Sequence, residues 1–152
     1  MSRVEERLEK LGLVLPSVPP AGGNYVPAVR AGNLLFTAGN VPFHPSGGYR
    51  GRVGAELSQE EGYEAARLCV LNCLAGVKAA IGDLDLIERV VKVTGFVNAG
   101  TGFDRFPLVV NGASDLLVSL FGENGRHART ALGLFVPDNY AVEVEMVLQL
   151  RE

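Results

Sequence analysis

Two cysteines, two histidines and the lack of any long apolar run narrow what this chain can be. Cys69 and Cys73 stand four apart in an apolar helical stretch, where one helix holds their backbones in poor geometry for a bridge. Two buried thiols are expected rather than a disulfide. With only His44 and His127 to add, ligands for a metal are scarce, and no metal or cofactor is expected. No apolar stretch reaches the roughly 18 residues a membrane-spanning helix needs. The start, Val4 to Gly12, lacks the basic lead and apolar segment of a signal peptide, so a cytoplasmic address is the expectation. The formal charge is -3 and no basic block occurs, which argues against nucleic acid as a partner. No internal repeat, linker or phosphate-cradling glycine motif is present.

What remains is 152 residues, enough for one hydrophobic core. We expect a single domain over 1–152 with a short helical extension over about 1–20. Residues 3–11 fit an amphipathic helix closed by Gly12, and Pro16, Pro19 and Pro20 extend the chain after it. Tyr25 to Arg30 leads to a turn at Ala31-Gly32-Asn33, then a buried strand at 34–38 ended by Gly39. Tyr49 to Val53 reads as a short irregular strand. Ser58 with Glu61 forms a capping box for a helix running to Ile81 and stopped by Gly82. Its inner stripe is Ala66, Val70, Cys73, Leu74, Val77 and Ile81. A β-branched strand follows at about 89–98. A second helix spans about 105–121, with Asp104 or a neighbour as its cap and Asn111-Gly112 weakening its middle.

Strands at 127–135 and 141–150 flank a Pro-Asp-Asn turn. In the last strand Val142, Val144, Met146, Leu148 and Leu150 face one way, and Ala141, Glu143, Glu145, Val147 and Gln149 the other. The element order predicts an α/β mixed sheet with two helices on one face. The opposite face would carry Glu143, Glu145, Val147 and Arg129. A half-polar sheet face calls for solvent or a partner, and symmetric self-assembly is the usual partner.

The ordered set of Tyr25, Leu35 to Pro42, Gly95-Phe96-Val97, Ala128-Arg129-Thr130 and Ala141 to Glu145 resembles the RidA family. These are the YjgF-type reactive-intermediate deaminases, whose older names include endoribonuclease and translation inhibitor. The likeness covers the chain from about residue 21. The length, the glycines and Val110 to Asp115 look more like a longer branch than the archetype. The resemblance implies a chorismate-mutase-like fold and a homotrimer whose sheets form a central barrel, with a cleft at each subunit boundary. It implies hydrolysis of enamine or imine acids such as 2-aminoacrylate to 2-keto acids and ammonia, without cofactor or metal. Carried over by position, Arg129 pairs with the substrate carboxylate and Glu143 positions or activates water. Tyr25 and Gly39 lie at the cleft, and Asn111 matches a site asparagine. Ala38 replaces the archetype's serine, Ala131 its reactive cysteine, and the turn before the last strand is one residue shorter.

The chemistry suits those residue types. Arginine offers two parallel N–H donors to a carboxylate. A carboxylate can orient water and take its proton. Glu145 shares the face of Glu143, roughly 6–7 Å along, and is placed to bind across a subunit boundary. Other readings stand beside these. Arg129 forms a structural ion pair with Glu143 or Glu145. Tyr25 packs at an interface, Asn111 braces a helix, and His127 is a hydrogen-bonded structural histidine. Ser114 and Asp115 form no triad of known spacing. As a whole, the alternative to the deaminase is a non-catalytic protein that binds small carboxylates in the same cleft.

Overall fold

The computed structural model describes residues 1–152. Its elements are α1 (Arg3–Lys10), β1 (Ala28–Ala31), β2 (Leu34–Thr37), α2 (Gln59–Ile81), β3 (Ile87–Val97), α3 (Phe106–Phe121), β4 (Ala128–Gly133) and β5 (Val142–Leu150), with short 3-10 turns at Leu84–Leu86, Gly122–Gly125 and Pro137–Asn139. One sheet runs β1-β2-β5-β3-β4. β3 and β4 are parallel, joined by α3 as a crossover, and the other pairs are antiparallel. The last two strands therefore do not pair with each other, because β3 lies between them.

The helices form where the pattern and caps direct. Ser58 and Glu61 make the expected capping box, and Gly82 ends α2 with φ 85. Ser2 and Glu5 cap α1 in the same way. Arg105, the neighbour of Asp104, occupies the cap position of α3, with no side-chain bond. Pro107, the second residue of that helix, suits its first turn, its fixed φ already helical and its missing N–H one that would go unpaired anyway. Asn111-Gly112 does not interrupt α3. A Cβ on Gly112 would lie 1.9 Å from the Tyr63 carbonyl oxygen, so the glycine lets α3 approach the α2 backbone closely. The predicted strand at 49–53 reduces to isolated bridges at Arg50 and Val53, since Gly51 at φ 126 breaks the extended run.

α2 and α3 cover one face of the sheet. Val70, Cys73, Leu74 and Val77 from α2 and Val110, Ala113 and Leu117 from α3 meet Leu35, Val93, Val97, Val144, Met146 and Leu148. Val4 and Leu8 of α1 join this core. The expected alternation of β5 holds, except that Ala141, just before the strand, is fully buried. Both thiols are free and buried. No helix of the molecule is long and apolar enough to cross a membrane.

No helix lies over the other sheet face. Glu145 pairs with Thr94, Glu143 with Phe96, and Val147 with both Phe36 and Lys92. On β1 and β4 the row continues through Val29 and Leu132, each about half exposed (55% and 51%). Apolar groups are thus spread among charges on an uncovered sheet.

Candidate functional site

Arg129 lies on β4, an edge strand. Its register partner is Val93, which is fully buried beneath the helices. Directly paired residues project to the same side of a sheet, so Arg129 is directed toward α3. Its Nη1 donates to Asn111 Oδ1 at 2.7 Å and to Ser114 Oγ at 3.1 Å, and its Nη2 to the Pro107 carbonyl at 3.4 Å. Asn111 and Ser114 are three apart on a helix and so share a face. A guanidinium carries five N–H groups. Three are used here, and Nε–H with one Nη2 hydrogen has no protein acceptor. No carboxylate forms a salt bridge with Arg129.

His127, two residues earlier on the same side, completes this cluster. Its Nδ1 is 2.6 Å from the Gly125 carbonyl oxygen, and its Nε2 is 2.9 Å from Ser114 Oγ. A carbonyl only accepts, so Nδ1 carries the hydrogen and Nε2 accepts from the Ser114 hydroxyl. Burial lowers the His127 pKa; the Gly125 bond opposes this, and the Arg129 charge adds to it.

Glu143 sits elsewhere. A cleft of about 750 Å³ is lined by Tyr25, Phe36, Ala38, Gly39, Asn40, Asp138, Tyr140 and Glu143, among others. Its wall after β2 is fixed by two bonds of 2.9 Å between the backbones of Asn40 and Val144. Asn72 of α2 ties the next residues down, its Nδ2 donating to the carbonyls of Val41 at 3.0 Å and Phe43 at 3.1 Å. Gly39 lets the carboxylate lie against the backbone: a Cβ there would stand 3.0 Å from Glu143 Oε2. Burial raises the Glu143 pKa, and Glu145 raises it further. Tyr25, half exposed, accepts from the Gly22 N–H through its hydroxyl. The far wall is a turn with Asp138 at φ 56 and Asn139 at φ 58, held by Arg50 on the Asp138 carbonyl and by Asn98 on Asn139 Oδ1. The cleft lining includes two carboxylates and no lysine, arginine or histidine.

The predicted residues thus fall into two groups. Tyr25 and Gly39 are beside Glu143, and Asn111 is beside Arg129. The expectation that Arg129 shares a face with Glu143 and Glu145 is overturned, and so is an ion pair between them. The glutamates lie on the uncovered face, while Arg129 is directed beneath α3. Arg129 pairs with Val93 and Glu143 with Phe96, three residues further along the intervening strand. Two strand spacings across and three residues along make roughly 14 Å between backbones. Alternation within each strand was readable, but not the insertion of β3 between β4 and β5. Glu145 is exposed and outside the cleft lining. Ala38 lines the cleft, while Ala131 is half-buried on β4. The Ser114–His127 contact was missed. Its signal was present in two spacings: 111 and 114 on one helix face, 127 and 129 on one strand face.

Comparison with known proteins places this geometry. The family model described as "YjgF/chorismate mutase-like, putative endoribonuclease" matches residues 5–145. Protein TCP17 of Trypanosoma cruzi is 44% identical over 151 residues, covering 97% of this chain and 94% of its own. The crystal structure of Atu1372 from Agrobacterium tumefaciens, a protein of unknown function, superposes with a TM-score of 0.91 at 41% identity, over 98% of this chain and 93% of that one. A Shewanella oneidensis protein named as a candidate endoribonuclease gives 0.92 at 38% identity, over 97% and 99%.

Proposed function

Because the chain belongs to the YjgF/chorismate-mutase-like family, we propose that it hydrolyses small reactive imine or enamine acids in a cleft completed by a second copy of itself. The observation that carries this reading is the incompleteness of each group in one protomer. Arg129 has open N–H donors and no carboxylate, and the Glu143 cleft has carboxylates and no cation. A small acid with an imine nitrogen needs both. The uncovered sheet face, with Val29, Phe36, Phe96 and Leu132 among its charges, supports self-association as the way to unite them. A homotrimer with a central barrel is the assembly we infer.

In such a cleft Arg129 holds the substrate carboxylate by its open N–H donors, while Asn111 and Ser114 hold its Nη1. Glu143 orients a water molecule and takes one of its protons as the oxygen attacks C2 of 2-iminopropanoate, the tautomer of 2-aminoacrylate. The carbinolamine then expels nitrogen as ammonia and leaves pyruvate, consuming one water. The raised pKa of Glu143 suits it to accept that proton and return it to the leaving nitrogen. These imines also hydrolyse unaided, so positioning supplies much of the acceleration required. Tyr25 and Gly39 shape the wall, and Glu145 reaches across the boundary between subunits.

Two other readings stand beside this one. Ala38 and Ala131, in place of a serine and a cysteine, favour a protein that binds small carboxylates without turnover. RNA cleavage, suggested by family names, fits poorly with an acidic cleft and a net charge of -3. The deciding experiment adds the protein to a dehydratase generating 2-aminoacrylate and measures ammonia release. Acceleration by wild type and its loss in Arg129→Ala are expected. Pyruvate binding with no acceleration would replace the enzyme with the binding protein.

A further inference from the structure

Ser114 Oγ stands between His127 Nε2 at 2.9 Å and Arg129 Nη1 at 3.1 Å; the serine only steadies the guanidinium in the hydrolysis above, and the histidine has no role in it. We propose that His127, acting through Ser114, couples a proton to anion binding at Arg129. This deepens the proposed function and rests on its assignment of a carboxylate to Arg129.

The argument follows from counting directions around one oxygen. A hydroxyl has one hydrogen and two lone pairs. With His127 neutral, the hydrogen points to Nε2 and one lone pair accepts from Arg129. The remaining direction offers a lone pair, which an arriving carboxylate oxygen opposes. With His127 protonated, Nε2–H becomes a donor and takes up the second lone pair. The hydroxyl hydrogen then moves to the remaining direction and can donate to the anion. The Gly125 carbonyl accepts from Nδ1 in both states, so the ring stays fixed while the direction of the Ser114 bond reverses. Charge works the same way. An imidazolium near an empty guanidinium is repelled, and an anion between them removes the repulsion.

Most charged groups around it are engaged elsewhere; Arg89 of β3 donates to the Arg126 carbonyl beside His127 at 2.9 Å. On its own strand His127 feels Arg129. On α3, Asp115 accepts from the Tyr63 hydroxyl at 2.7 Å. In the turn before β4, Glu123 is paired with Arg126. On β3, Lys92 donates to Thr130 on the uncovered face. Burial and Arg129 both hold the empty-site histidine neutral near pH 7. Binding an anion should therefore draw a proton in.

The test titrates pyruvate, whose carboxyl stays ionised throughout, into wild type by calorimetry from pH 8 to pH 5, in buffers of different ionisation enthalpy. Affinity should rise about tenfold toward pH 5, the worth of one hydrogen bond to a charged acceptor. Binding should also take up a proton near the His127 midpoint. With Glu143→Gln alongside it, His127→Gln should bind with little pH dependence and no uptake over that range, and Ser114→Ala should keep only part of the rise. Glu143→Gln separates the histidine from the other titrating group of the cleft and should retain the uptake. The chain has only His44 and His127, so imidazole resonances of wild type read the His127 pKa directly, and it should rise when pyruvate binds. An unchanged His127 pKa on binding, or the same proton uptake in His127→Gln, overturns the coupling and leaves the carboxylate site standing. Pyruvate binding absent from wild type, or unaltered in Arg129→Ala, overturns that site and the coupling with it.

Discussion

Gly39→Ala separates the proposed chemistry from stability. The backbone permits the change, since Gly39 is not among the glycines with positive φ. A methyl there would stand 3.0 Å from Glu143 Oε2, 3.1 Å from Cδ and 3.4 Å from Cγ, so the carboxylate must yield by a few tenths of an ångström. Misplacing a reacting group by about 1 Å costs roughly 10²-fold in rate. A shift of a few tenths should therefore lower kcat/KM on the order of 3–10-fold. Stability should move the other way, because alanine restricts the unfolded chain and stabilises by about 0.4–1 kcal/mol where its conformation is allowed. For a domain near this size that is a rise of roughly 1–4 °C in Tm. The methyl also strips water from the carboxylate, pushing the Glu143 pKa higher still and moving the ascending limb of the kcat/KM profile to higher pH. Gly32→Ala is the counterpart: at φ 64 with nothing within 4 Å, it should lose stability through strain and keep its activity. Ammonia release across pH, with melting curves of both variants, reads all of this. A Gly39→Ala protein with wild-type kcat/KM and an unmoved limb would refute the role given to Glu143.

Two more outcomes follow from burial. The folded pKa of Glu143 is raised, so its ionised form costs stability at neutral pH, and that cost is absent below the ordinary carboxylate value of 4.5. Glu143→Gln should melt higher than wild type at pH 7 and lose that advantage as pH falls below about 4.5; an equal gain at both ends would contradict the burial argument. Asn72→Ala should cost about 2–4 kcal/mol by leaving the Val41 and Phe43 carbonyls without their donor, partly offset by removing the buried, unpartnered Oδ1. Denaturant unfolding measures it, and hydrogen exchange should show residues 40–43 opening first.

The readable parts of this protein were those governed by neighbours in the chain. Ser58, Glu61 and Gly82 set the bounds of α2 because capping and positive φ are local properties. The two faces of β5 followed from alternation, and Glu143 emerged as half-buried for that reason. Local rules erred where a competing signal was equally local. Asp104 is a good cap, but its neighbour Arg105 takes the position and makes no side-chain bond. Tyr49 to Val53 looks extended, but Gly51 breaks it. Tyr25, Gly39 and Asn111 came from family resemblance, and their grouping around two separate centres did not.

The amino-acid sequence by itself determined the helices, the strands and which residues on each strand share a side, because those depend on contacts a few positions apart. It also supplied every side chain of the candidate site. Strand order belongs to the tertiary structure alone. The right place for β3 is decided by how α3 carries the chain over the sheet, and that placement sends Arg129 beneath the helix and leaves Glu143 on the uncovered face. The same packing brings Ser114 to His127: the spacings set a helix face and a strand face, and only the packing joins the two.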